Sequence, residues 1–254
     1  MGTVAVTGSA GGIGGAIRRR IEAAGHRVIG VDLRDTEVVA DLSSADGRTG
    51  AVADVVGASG GTLDGLVVAA GIGGSTSAPP ATVVRINYFG AVALLEGLHQ
   101  HLTGGELRAA VAISSNSATA VPHPDLTLVE HCLAGAEDDA ATVADTMDGE
   151  AVYALAKLAL ARAVRRFAVT WAPTVRANAV APGPVLTALT RAALDHPVTG
   201  DLIRQYPVPL DRWGEPEEIA AAVWFLLSPE SAWVTGSILF VDGGTDALLR
   251  PDGI

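Results

Sequence analysis

The chain has 254 residues, 49% hydrophobic, 18% charged and only 4% aromatic, so its core must be built mainly from Val, Ala, Leu and Ile. A formal net charge of −11 opposes long-range attraction to nucleic acid or to an anionic membrane surface. The single cysteine, Cys132, excludes an internal disulfide, and the six histidines offer no metal-ligand spacing: His99 and His101, two apart in a helical run, point to different sides.

The opening run "MGTVAVTG" passes straight into a strand, without a charged leader, and no apolar stretch reaches about 18 uninterrupted residues. The expectation is a cytoplasmic chain in a reducing setting, with no export signal or anchor. After "TVAVT" comes a helical run from Ile13 to Ala24, a strand "HRVIGVD", a helix near Ala45 to Val56 and a strand "LDGLVVAA". Further strands at 108–114, 175–182 and 237–243 alternate with helices at 83–101, 151–169 and 215–228. This repeated βαβ rhythm predicts one domain over 1–254, an α/β doubly wound Rossmann fold whose seven-stranded parallel sheet carries helices on both faces. Two segments break the rhythm. Residues 116–150 read as one or two extra helices outside the sheet. Residues 184–212, rich in proline, read as a lid whose Leu186, Leu189, Leu194 and Ile203 suit either a bulky substrate or simple packing.

The stretch "VTGSAGGIGG", Val6 to Gly15, places five glycines at the start of the first helix. A tight turn there lets backbone N–H groups at the helix N-terminus approach a phosphate with no Cβ intervening, so Gly8, Gly12 and Gly14 mark a pyrophosphate site. Asp32 stands at the end of the second strand, 18 residues beyond Gly14, where an acid hydrogen-bonds ribose hydroxyls. A carboxylate there repels a 2′-phosphate and favours NAD over NADP, with Arg34 close enough to leave some NADP use open. The triple "RRR" at 18–20 spreads around its helix and reads as solvated surface. Tyr153 and Lys157, four apart, share one helix face. A phenol of ordinary pKa, about 10, works as a base near neutrality only when phenolate is favoured, here by the lysine ammonium and an oxidised nicotinamide ring. Ser115 and Ser114 both end a strand from which a hydroxyl can donate to a substrate oxygen.

These stretches resemble the short-chain dehydrogenase/reductase family. "TGSAGGIG" from Thr7 looks like its glycine motif, "AAG" at 69–71 like its N-A-G, "VAISS" at 111–115 like its serine strand, "YALAK" at 153–157 like its Y-x-x-x-K, and "NAVAPGPVLT" at 178–187 like its P-G motif. "EAAGHRVIGVDLRD", "NYFGA", "DALLRP" and the long insertion before the tyrosine are similar to the bacterial 3α-hydroxysteroid dehydrogenase/carbonyl reductase branch in particular. Two departures stand out. Ala69 replaces the Asn usual in the family, as in that branch, and Ser115 lies much farther ahead of Tyr153 than is usual, which the insertion explains.

The resemblance implies that Ser115, rather than Ser114, positions the substrate oxygen, that Tyr153 exchanges the proton, that Lys157 tunes the tyrosine, and that Asn87 helps hold a water leading from the lysine to solvent. It further implies NAD contacts from Gly8, Gly12, Ile13, Gly14, Asp32, Leu33, Asp41, Leu42, Ala70, Gly71, Tyr153, Lys157, Pro182, Val185 and Thr187, with Asp41 and Leu42 at the adenine and Val185 and Thr187 at the carboxamide. The expected reaction is reversible hydride transfer between NAD(H) and a secondary alcohol or ketone, the substrate being a 3α-hydroxysteroid or another bulky carbonyl compound. Two other readings stay open: a 3-oxoacyl thioester reductase, for which Arg191 and Arg204 are weak basic candidates, and a non-catalytic NAD-sensing regulator. The resemblance also implies a homodimer or homotetramer. The helices at 151–169 and 215–228 are the candidate interfaces, and the insertion would block the first and favour a dimer through the C-terminal elements.

Overall fold

The computed structural model describes residues 2–120, 123–187, 190–191, 194 and 206–253. Runs rich in Val, Ala and Ile form seven strands: β1 (Thr3–Thr7), β2 (Arg27–Asp32), β3 (Val38–Val39), β4 (Gly65–Val68), β5 (Ala109–Ile113), β6 (Arg176–Pro182) and β7 (Ile238–Val241). All pair in parallel, in the order β3-β2-β1-β4-β5-β6-β7. Strands β4 and β5 are buried at every position, as a parallel sheet covered on both faces requires. The two-residue β3 completes the predicted seven and is too short to leave a periodic signal of its own.

Two apolar layers flank the sheet. On one side α1 (Gly12–Ala23) packs Ile17 and Ile21 against Val4, Val6 and Val67. The same layer takes in Ile219 and Val223 from a helix at Pro216–Leu227, which becomes α9 below. On the other side lie α2 (Ala45–Ser59) and a rod made of α3 (Pro80–Val84), a π-turn (Arg85–Gly90) and α4 (Ala91–Leu102). By length and composition Pro80–Leu102 suits a membrane span, yet 61% of its most apolar window is buried inside the fold.

The 116–150 segment supplies three helices: α5 (Ser117–Ala120), α6 (Thr127–Ala134) and α7 (Glu137–Ala144). They are more than an outside addition. Leu128, Val129, Cys132, Ala140 and Ala144 belong to the same buried cluster as Val152, Leu155 and Leu160 of α8 (Gly149–Thr170). Buried Arg48 of α2 bonds Glu137 at 2.5 Å and so fastens α7 to the body of the protein. After β6 come α9 (Pro216–Leu227) and, following β7, a short α10 (Thr245–Leu249).

The "RRR" stretch lies at the surface, as its solvated reading expects, with Arg19 65% exposed, and each arginine also has a partner there. Arg18 bonds Glu22 and Glu37, Arg19 pairs with Glu217, and Arg20 lies over the Trp224 ring at 5.2 Å. Arg18 also holds Glu37 at a pKa of about 2, with a backbone bond from Gly30 assisting. The three arginines therefore tie α1 to its neighbours.

Candidate active site

The chain connections from β1 and β4 leave the sheet in opposite directions, and such a switch point opens a crevice at the carboxyl ends of the strands. A cavity of about 710 Å³ occupies it. Most of the expected cofactor residues line this cavity: Gly8, Gly12, Ile13, Gly14, Asp32, Leu33, Asp41, Leu42, Ala70, Gly71 and Thr187. Pro182, Val185, Tyr153 and Lys157 do not. Pro182 lends its carbonyl to the Asn116 N–H, and Val185 is buried below and bridges to Gly214.

The N-terminus of α1 faces this crevice with no side-chain cap, so its first N–H groups remain available as donors. Gly14 is required by close packing: a Cβ there would lie 2.0 Å from the Gly8 carbonyl oxygen. Opposite, the Asp32 carboxylate accepts from the Ala10 N–H at 2.9 Å and from the Leu33 N–H at 2.7 Å, which fixes its direction at the end of β2. Arg34 is largely exposed and sits 3.8 Å from Asp35. Hydrogen bonds from Ser43, through its hydroxyl and its backbone, hold the Asp41 carboxyl below its ordinary pKa. Backbone donors at one end, an acceptor at the other and apolar walls from Ile13, Leu42 and Ile86 fit a dinucleotide.

With Ala69 in place of the family's usual asparagine, the end of β4 is held through its main chain. The Thr7 hydroxyl accepts from the Ala69 and Ala70 N–H groups at 3.0 and 2.9 Å, holding the end of β4 against β1.

The candidate catalytic residues gather around the end of β5. Ser114 is excluded from chemistry because its hydroxyl donates to the Lys157 carbonyl at 2.9 Å and pins α8 to the sheet. Ser115 Oγ accepts from the Ser117 hydroxyl at 2.9 Å and from the Ser117 N–H at 3.2 Å, and it lies close enough to Tyr153 to act on its phenol. Lys157 is buried, donates to the Ile113 carbonyl at 2.9 Å, and has its ammonium 5.8 Å from the centre of the Tyr153 ring.

Burial, the dominant effect, pushes the Tyr153 phenol above its ordinary pKa, while the Ser115 hydrogen bond pulls it back and Glu150 adds to the rise. Burial also lowers the Lys157 ammonium to about 8. The sequence-based expectation joins the lysine ammonium to the positive charge of an oxidised nicotinamide, and burial of the phenol works against both.

Asn87 stands in the π-turn, a local widening that often accompanies function. Its Nδ2 donates to the Ile72 and Val83 carbonyls, both at 2.9 Å, while its fully buried Oδ1 has no partner. The space above Gly71 explains the orphan: a Cβ at that glycine would lie 2.5 Å from Asn87 Oδ1 and 3.3 Å from Lys157 Nζ. Both polar atoms thus converge on one small gap. The tyrosine, lysine and glycine motifs were legible as residues at spacings; the π-turn and the Thr7 hydroxyl were not, since neither changes the periodicity or composition around it. Of the apolar lid residues, Leu189 and Ile203 lie outside the described residues, as does Arg204.

A model of the NAD dependent epimerase/dehydratase family matches residues 4–192, and one described as enoyl-(acyl carrier protein) reductase matches residues 139–246. The chain is 40% identical to a 3-alpha-hydroxysteroid dehydrogenase/carbonyl reductase from Comamonas testosteroni, across 99% of both chains. It is 33% identical, over 94% of each chain, to an acetoacetyl-CoA reductase from Synechocystis. Among solved structures, the 3-alpha-hydroxysteroid dehydrogenase from Pseudomonas sp. B-0831 complexed with NADH superimposes with a TM-score of 0.94 at 44% identity, covering 99% of this chain and 100% of that one.

Proposed function

The chain belongs to the short-chain dehydrogenase/reductase family and is an NAD-dependent oxidoreductase interconverting a secondary alcohol and a ketone; from that premise we propose that Tyr153, Ser115 and Lys157 carry the reaction on a bulky, uncharged carbonyl compound such as a 3-oxosteroid. The observation that carries this reading is the buried Lys157 ammonium 5.8 Å from the centre of the Tyr153 ring, beside Ser115 at the end of β5.

NAD(H), when bound, supplies or accepts the hydride. The residues do the rest. Ser115 holds the substrate oxygen, and the Tyr153 phenol gives it a proton in reduction and recovers that proton in oxidation. Lys157 keeps a positive charge under the ring and reaches, across the gap above Gly71, toward the orphaned Asn87 Oδ1; a water seated there would return the proton to Tyr153. Uncapped N–H groups of α1 take the pyrophosphate, and Asp32 takes the ribose.

Charge around the mouth supports a neutral substrate. Glu150 lies near Tyr153 and Asp242 near Tyr206, while Arg191 is paired with Glu215 at 2.8 Å and Arg212 with Glu218 at 2.6 Å. No unpaired cation among these described residues waits for the phosphates of an acyl thioester, although the acetoacetyl-CoA reductase relative keeps that substrate in any screen. We further read the protein as a cytoplasmic homodimer joined through the β7 edge. A reducing compartment suits Cys132, a buried thiol pushed up to about 12.

The test is Tyr153→Phe with a 3-oxosteroid and NADH: turnover falls about 10³-fold while NADH affinity stays within about 2-fold of the wild type. Turnover that survives the substitution refutes the assignment.

A further inference from the structure

Beneath the glycine turn that precedes α1 lies a chain of polar side chains that no step of the hydride transfer uses. The Ser9 hydroxyl, in that turn and buried, is 2.9 Å from the Thr36 hydroxyl, in the turn between β2 and β3. Thr36 donates to Glu37 Oε2 at 3.3 Å, so Ser9 is left to donate to Thr36. The Glu37 carboxylate gathers the rest. Arg18 of α1 bonds both of its oxygens, at 2.8 and 2.6 Å, and the Gly30 N–H donates to it at 2.8 Å.

This meeting place exists because residue 30 is a glycine. Strand β3 pairs only with Val31 and Asp32, so the Gly30 N–H lies just short of that ladder and the Glu37 carboxylate accepts it instead. A Cβ on Gly30 would stand 2.2 Å from Thr36 Oγ1, 2.3 Å from Ser9 Oγ and 2.9 Å from Arg18 Nη1. Side chains from the glycine turn, from α1 and from the β2–β3 turn thus converge on the space of one missing methyl.

Both turns joined by the Ser9–Thr36 bond run directly into the walls of the crevice. Ala10 and Gly11 follow Ser9, while Leu33, Arg34 and Asp35 precede Thr36, and all five line the cavity. Asp35 has a φ of 55°, a left-handed conformation uncommon outside glycine, so the second turn needs outside bonds to keep its course. The other tie between the turns is the Ala10 N–H to Asp32 bond, and the proposed site asks that same carboxylate to face a ribose. We propose that Ser9, Thr36 and Glu37 are positioning residues for the cofactor: their bonds, anchored by Arg18, set the 33–36 turn against the glycine turn and so fix the adenosine end of the crevice. The proposal rests on NAD(H) occupying that crevice and is independent of which carbonyl compound is reduced.

The test is equilibrium binding of NADH, and of ADP-ribose, which lacks the nicotinamide, to the full chain. Thr36→Val keeps the side-chain shape and removes the hydroxyl; it is expected to weaken both probes about 5-fold, with kcat on a 3-oxosteroid at saturating NADH changed less than about 2-fold. Ser9→Ala is expected to give a similar loss and the double variant no further loss, because the two residues share one bond. Thr36→Ser, which restores the hydroxyl, is expected to bring both Kd values back within about 2-fold of the wild type. Unchanged Kd values in Thr36→Val, losses that multiply in the double variant, a loss for NADH with ADP-ribose untouched, or a Thr36→Ser variant no better than Thr36→Val overturns the proposal. Wild-type protein that binds neither probe refutes the dinucleotide crevice and the positioning role with it, whereas wild-type protein that binds both and reduces no ketone counts against the reaction alone and leaves the Kd comparison decisive.

Discussion

Lys157 gives the site its charge at a cost to the fold. With its pKa lowered from an ordinary 10.5 to about 8 by burial, the ammonium penalises the native state by about 3 kcal/mol. The unfolded chain holds that proton more tightly, so the penalty is complete below pH 8 and fades as pH rises from 8 to 10.5. Lys157→Met removes it but also removes the bond to the Ile113 carbonyl, worth about 1 kcal/mol. The variant should be inactive yet about 2 kcal/mol more stable at pH 7 by urea unfolding, with the gain nearly gone at pH 10.5. A destabilised variant at pH 7 would show that the ammonium is held by more than burial allows. Residue types at spacings made Tyr153, Lys157 and the glycines readable in the sequence. The division of labour between Ser114 and Ser115 was not readable from the residues alone, because neighbours at a strand end face opposite ways and only the packing of α8 decides which is consumed by structure.

Six of the seven strands and the main helices were legible at the element scale because buried β-branched runs and amphipathic periods are properties of the chain itself. The π-turn was hidden, since a period of 3.6 fits the sequence on either side of it, and α10 was hidden by its five-residue length. The depth to which α6 and α7 enter the core was also out of reach, as it depends on which surface of α8 receives them. Arg48 is the joint that holds α7: it is 6% exposed and bonds both Glu137 and, at 3.5 Å, the Leu42 carbonyl. Arg48→Ala leaves Glu137 with Arg85 alone and should lower stability by about 2 kcal/mol in urea, with kcat retained. An unchanged midpoint would mean that solvent screens the pair and that apolar contacts alone seat the insertion.

For the whole molecule, the open side of β7 poses the main physical problem. All four of its residues, Ile238 to Val241, are only partly buried, and an unpaired apolar edge invites another strand. Trp233, just before it in the chain, is fully exposed, and Phe225 of α9 is 39% exposed. In the proposed dimer a second copy would meet this edge, and α6, packed against α8, would stand at the other candidate interface. Trp233→Arg should therefore shift the mass in solution from two chains to one at micromolar concentration, because a central aromatic anchor often carries much of an interface. Wild-type protein that already runs as one chain would refute the dimer.

The crevice itself carries one last implication. In the proposed site the phosphate donors belong to the main chain at the start of α1, where a replacement acts only by crowding the turn, as a Cβ at Gly14 would against the Gly8 carbonyl, whereas the choice between the two nicotinamide dinucleotides would rest on one carboxylate, Asp32. Grip would then belong to main-chain atoms and preference to a side chain, and the 2.9 Å bond from the Ala10 N–H to Asp32 is the point at which a change in preference would reach the grip.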